Sequence, residues 1–201
     1  MGAFECEQNR RSISPLEDSQ WIFLTCLTPP QNRFTGFVEA SSMHLLEEFQ
    51  KQLLVPDTWF RTCRPAHFTA SAFVYDPTAQ KIILLHHKRL NKWVQPGGHC
   101  DGNTDFTVVA QKELAEETGL TLTPCCRDPF DLDVHSIPAN SFESAHLHYD
   151  WRVLFLADSD TPLPQNQEGN EVKWVSVACL SEFTQEGSIL RMAGRAKTLR
   201  F

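Results

Sequence analysis

The sequence predicts an α/β fold, on three observations. Residues 67–75 (HFTASAFVY) and 81–88 (KIILLHHK) are rich in aromatic and β-branched side chains and flank the turn-forming Asp76-Pro77-Thr78, so they read as two strands of a hairpin. Phe106, Val109, Ala110 and Leu114 recur every three to four residues, the spacing of one apolar helix face. Residues 131–137 (DLDVHSI) and 146–156 (HLHYDWRVLFL) alternate polar and apolar side chains, as strands do.

Taken in order, residues 1–40 are rich in Gln, Asn, Ser and Pro and are expected to form an irregular N-terminal arm, ahead of one domain over 41–201. Residues 42–54 place Leu45, Leu46, Phe49, Leu53 and Leu54 on one helical face, with Ser41 or Ser42 as cap and Pro56 as the stop. The hairpin follows and leads into residues 90–94. Pro96-Gly97-Gly98 is expected to break regular structure in a glycine turn. Thr104-Asp105 then caps the acidic helix, whose stop is Gly119. A loop from Ser136 to Ala145 joins the two alternating strands as an antiparallel pair. Residues 165–177 read as a polar loop running into a strand at Val172, and short helical stretches over 181–185 and 188–199 finish the chain.

Composition narrows the function. A net charge of −7 argues against a nucleic-acid polymer as partner, since a polyanion calls for a basic surface. A small diphosphate held through a metal ion stays compatible. Seven scattered cysteines without a CxxC pair read as reduced thiols, and the apolar run Trp21–Leu27 is too short to span a bilayer. The expectation is a cytoplasmic protein with no membrane partner, as a monomer or homodimer.

On the acidic helix, Glu113, Glu116 and Glu117 stand at i, i+3 and i+4, which gathers three carboxylates on one side. Like charges so placed repel unless a cation joins them, and a hard divalent cation prefers such oxygens. The plainer reading is a solvated acidic face. At these residues the chain resembles the Nudix hydrolases. Their box is Gly, five residues, Glu, seven residues, Arg-Glu, an aliphatic, any residue, Glu-Glu, any residue, Gly, an aliphatic. Gly98, Glu113, Leu114, Glu116, Glu117, Gly119 and Leu120 fall in register without a gap, while Thr104 replaces the first glutamate and Lys112 replaces the arginine.

The resemblance implies an α/β/α sandwich with a mixed sheet and a loop-helix-loop metal site, and hydrolysis of a diphosphate joined to another moiety. It implies Mg2+ or Mn2+ held by Glu113, Glu116, Glu117 and the Gly97 carbonyl. Glu116, Glu117 and Lys112 are the expected catalytic residues, with a loop glutamate as base, Glu168 first and Glu171 second. Two rivals stand beside it: a Nudix-fold module that binds without cleaving, favoured by Thr104 and Lys112, and an isomerase of isopentenyl diphosphate using a cysteine, for which Cys100 is the candidate.

Beyond the box, Asp131, Asp133 and His135 share one face of their strand, and His146, His148, Asp150 and Arg152 share one face of the next. The plainer reading is an exposed sheet face with charges paired across strands. The functional reading has His135, His146, His148 and Arg152 contact the substrate, with imidazoles that gain charge as pH falls below about 6.5. The His-x-His spacing also suits a transition metal.

Overall fold

A computed structural model describes residues 43–88, 90–163 and 171–199. The elements are α1 (Met43–Leu53), β1 (Ala66–Asp76), β2 (Lys81–His87), β3 (Lys92–Val94), β4 (Gly97–His99), α2 (Phe106–Thr118), β5 (Asp131–Ile137), β6 (His146–Leu156), β7 (Glu171–Ser176), a 3-10 helix (Val177–Glu182) and α3 (Gly187–Ala196). The expected arm over 1–40 and the cap at Ser41 or Ser42 lie outside the described residues.

The seven strands form one mixed sheet in the order β3-β2-β1-β6-β5, with β4 also on β1 and β7 also on β2. β1 is its centre. It runs parallel to β6 from Ala66↔Leu147 to Tyr75↔Leu156, and its other edge is divided between β4 and the start of β2. Every residue of β1 is buried. Phe68, Ala70, Ala72 and Val74 join Tyr149, Trp151, Val153 and Phe155 of β6 beneath α1 and α2. Phe106 of α2 stacks on Trp151 with ring centroids 4.7 Å apart and planes 6° apart; such a pair contributes about 0.5–1.5 kcal/mol beyond area burial. On the other face, Phe73 and Tyr75 meet Ile189, Met192, Ala193 and Ala196 of α3.

The expected elements are present, with informative differences at their ends. Leu54 falls just past α1 and is 70% exposed, so it does not belong to the apolar stripe. The 3-10 helix starts at Val177, ahead of the expected helical stretch, because the Ser176 side chain accepts from Ala178 N–H and caps it there. The C-terminal helix does more than cover the surface: Arg191 and Arg195 reach over to Asp131 and the Phe130 carbonyl.

The two alternating strands pair as expected, Asp131↔Arg152 and His135↔His148, so their polar faces coincide. That face is buried at its centre rather than exposed. Asp150 accepts from Thr69 Oγ1 (3.0 Å), Ser71 Oγ (2.8 Å) and Arg152 Nε (2.8 Å). Arg152 also pairs with Asp131 (3.4 Å) and Asp133 (3.1 Å), and Arg191 closes the network on Asp131 at 2.6 Å. Burial pushes the Asp131 carboxyl up despite both arginines, whereas Asp133 is held low against its own burial by His135 and Arg152. A guanidinium with five donors satisfies several carboxylates at once, which a lysine would not.

Two predictions follow from these buried groups. Arg152→Met leaves Asp131 and Asp150 buried without their shared cation and is expected to cost about 3–5 kcal/mol in urea unfolding; a loss under 1 kcal/mol would show that the network is not stabilising. Asp76, 3% exposed, accepts from Thr78 N–H, Ala79 N–H and Ser159 N–H at 2.8, 2.9 and 2.8 Å. Burial raises its pKa, but these bonds outweigh burial and bring it down from 3.8 to about 2. The unfolded chain therefore binds the proton first, and stability is retained above about pH 4 and lost as pH falls toward 2. The contribution is on the order of 2 kcal/mol, and Asp76→Asn should flatten that part of the pH–stability curve.

Candidate active site

The acidic helix is fixed at both ends by its own sequence. Asp105 accepts from Thr107 N–H and Val108 N–H as N-cap, and Gly119, at φ 76°, ends the helix with its N–H on the Ala115 carbonyl. Phe106, Val109, Ala110 and Leu114 are buried as the periodicity requires. The opposite side carries Glu113 and Glu116, with Glu117 turned inward to 8% exposure.

Gly97 and Gly98 form a short strand on β1 instead of the expected turn: Gly97 pairs with Ser71 and Gly98 with Ala70. Their lack of a side chain has a different cause from the one the turn suggested. A Cβ on Gly97 would stand 2.3 Å from Ser71 Oγ, and one on Gly98 would stand 2.5 Å from the Glu113 carboxyl carbon. The glycines thus let β4 slide between β1 and the glutamates. Gly97 N–H donates to Glu117 Oε2 at 2.9 Å, which ties the helix to the strand.

Lys112 takes the place of the family's arginine and uses its single ammonium on two carboxylates, Glu113 Oε1 at 3.1 Å and Glu116 Oε2 at 2.8 Å. The side chain is 58% exposed, so the pair is screened and mobile compared with a buried one. Glu113, Glu116, Glu117, Lys112 and Gly97 are therefore brought together. Their hard oxygen donors fit a divalent cation, and a positive charge already draws two of them together. Thr104 is exposed in the loop before α2.

Glu168 lies outside the described residues. Glu171 opens β7 opposite His86 and pairs with Lys173 at 2.6 Å. Cys100 is buried in the main core, and that burial, before the nearby carboxylates, pushes its thiol well up. A thiol held neutral is a poor nucleophile, which removes the feature that favoured the isomerase. Tyr149 and Trp151 serve as core, while Trp93 lies beneath the Lys173 ammonium, 5.1 Å from its ring centre.

His135, His146 and His148 do share a face, as the alternation predicted, and Arg152 lies behind them within its carboxylates. The sequence reading missed two members of this cluster. His67 of β1 is the direct neighbour of His148, and His99 of β4 has its ring 5.1 Å from those of both His67 and His148. The signal was present in the alternation His67, Thr69, Ser71, but only the parallel β1–β6 register places it beside β6. The expected charging in mild acid does not hold for His148. Burial first, then the surrounding imidazoles, depress it to about 2, and burial with the nearby Arg61 brings the added member His99 to about 4.

Known proteins bear on this arrangement. The family model for the NUDIX domain matches residues 65–191. A NUDIX-family hydrolase from Clostridium perfringens is similar in structure, with 19% identity, a TM-score of 0.51, and 67% of this chain and 98% of that one covered. The dihydroneopterin triphosphate pyrophosphohydrolase of E. coli gives 13% identity and a TM-score of 0.51, covering 66% of this chain and 94% of its own. No curated protein sequence matches. With the family model spanning most of the described domain, and Glu113 and Glu117 of the box held against Gly98 and Gly97 on a mixed sheet, the chain belongs to the Nudix hydrolase family.

Proposed function

We propose that this Nudix hydrolase cleaves a diphosphate linkage in a nucleoside diphosphate derivative, a nucleotide, dinucleotide or nucleotide sugar, with Mg2+ or Mn2+ as cofactor. The observation that carries the reading is the convergence of Glu113 and Glu117 on the Gly97-Gly98 strand, with Glu117 anchored to Gly97 N–H and Glu116 drawn toward Glu113 through Lys112. The reaction named for the E. coli neighbour, hydrolysis at a triphosphate, is of the same kind. The three carboxylates, with the Gly97 carbonyl, would hold the ion, and when bound it supplies charge neutralisation at phosphate oxygens and activation of water.

The chain's own residues do the rest. Lys112 keeps Glu113 and Glu116 together before the ion arrives and gives a rim cation for phosphate. A loop glutamate takes the proton from the attacking water. Glu168 is the first candidate, and the ion pair between Glu171 and Lys173 makes Glu171 the second. The reading of a binding module without turnover draws on the same lysine, because an ammonium bridging Glu113 and Glu116 competes with a divalent ion for their oxygens.

Hydrolysis is expected to require a divalent cation and to fall by roughly 10²–10³-fold in kcat for Glu116→Gln or Glu117→Gln, the scale of removing one charge-stabilising group. A folded variant with undiminished turnover at saturating substrate would take that glutamate out of the mechanism. Lys112→Arg is expected to hold or raise activity, since a guanidinium binds a carboxylate through two donors. If neither the native protein nor Thr104→Glu with Lys112→Arg turns over any nucleoside diphosphate derivative, while ligand binding persists, the binding module is the correct reading.

A further inference from the structure

The imidazoles of the polar face form a second constellation, separate from the α2 glutamates. His67 of β1 lies beside His148 of β6 in the parallel ladder, and His146 stands two residues before His148 on the same face. One ring nitrogen from each of the three lies within 4.8 Å of those of the other two. His146 Nε2 and His148 Nε2 are 3.3 Å apart, the edge of a tetrahedron whose arms are about 2.0–2.1 Å, the usual zinc–imidazole distance.

The other ring nitrogens settle which atoms point inward. His146 Nδ1 lies 2.8 Å from the Ser144 carbonyl, and His67 Nδ1 lies 3.2 Å from the Cys63 carbonyl. A carbonyl only accepts, so each Nδ1 carries the proton and each Nε2 presents a lone pair. Arg64 Nη1 also approaches His67 Nδ1, at 3.5 Å, but it has nearer acceptors in the Cys63 and Arg61 carbonyls. Metal-bound histidines are oriented in this way, with the second nitrogen on a backbone carbonyl.

The inward nitrogens are poorly satisfied. His67 is fully buried, and its Nε2 has no hydrogen-bond partner among the described residues. A proton on His148 Nε2 would satisfy the His146–His148 pair and still leave His67 Nε2 bare. A cation between the three rings satisfies all of them.

We propose that His67, His146 and His148 bind one borderline transition-metal ion, zinc in the first place. Three neutral nitrogen donors select for zinc, nickel or copper over the hard magnesium suited to the glutamates. The three-ligand set leaves a fourth position, near which lies Glu143, its Oε2 4.0 Å from His146 Nε2. Three protein ligands with the fourth position left to water is the arrangement of reactive zinc sites, whereas Glu143 in that position would close the shell. This inference does not depend on the proposed diphosphatase activity.

The test uses the full chain, stripped with a chelator and titrated with Zn2+ in the presence of excess Mg2+, which occupies the oxygen site. One tight equivalent is expected. It should shift the 15N resonances of the three Nε2 atoms in the native protein while His67 and His146 keep their Nδ1 protons, and Co2+ in place of Zn2+ should give visible d–d bands. His148→Gln should weaken zinc by more than the roughly 10–100-fold that loss of an outer-shell partner costs, and Glu116→Gln should leave zinc affinity as it was. Saturating zinc without any change in these imidazole resonances overturns the proposal, and so does a tight equivalent lost in Glu116→Gln. Because the resonance measurement is made on the native chain, a His148→Gln variant that fails to fold does not decide the outcome.

Discussion

The parallel ladder between β1 and β6 is the constraint on which the rest depends. It joins residues 66–75 to residues 147–156, far apart in sequence, and it fixes which side chains meet on both faces of the sheet. On one face it sets Phe68, Ala70 and Ala72 beside Tyr149, Trp151 and Val153, the floor on which α2 packs. On the other it sets His67, Thr69 and Ser71 beside His148, Asp150 and Arg152. A slip of one residue would exchange the two faces, burying charges under α2 and exposing the aromatic floor.

Both polar constellations inherit their precision from this ladder. β4 is held against β1 with so little room that only glycine fits at 97 and 98, and that closeness brings the strand backbone to Glu113 and Glu117. The helix carrying those glutamates is in turn pressed onto Trp151 through Phe106, so core packing orients the carboxylates. The aspartates around Arg152 work on the opposite face. They let a charged network be buried in a sheet centre because every member has a partner, and they seat the strand segment from which His146 and His148 project.

Charge is divided between the two faces in a chemically sensible manner. The α2 side collects carboxylates around one exposed lysine and suits a hard cation. The imidazole side is more enclosed, and burial disfavours the charged form of His148, His99 and His67. One domain thus presents an oxygen site and a nitrogen site on either side of its central strand.

Much of this was legible from the residues. The helix over 106–118, its Asp105 cap, its Gly119 stop and the three-glutamate face follow from period and capping chemistry, which act within a few residues and need no fold. The alternation of residues 131–137 and 146–156 likewise determined which of their side chains share a face. Tertiary structure decided what period cannot carry. Gly97 and Gly98 looked like a turn because local propensity cannot see Ser71 and Glu113 closing in from other elements. The face bearing Arg152 looked exposed because alternation reports two faces without saying what covers each. His67 joined the imidazole cluster only through a parallel register set by contacts some eighty residues apart. Sequence spacing determines neighbours along an element; which elements become neighbours is decided by burial of the whole chain at once.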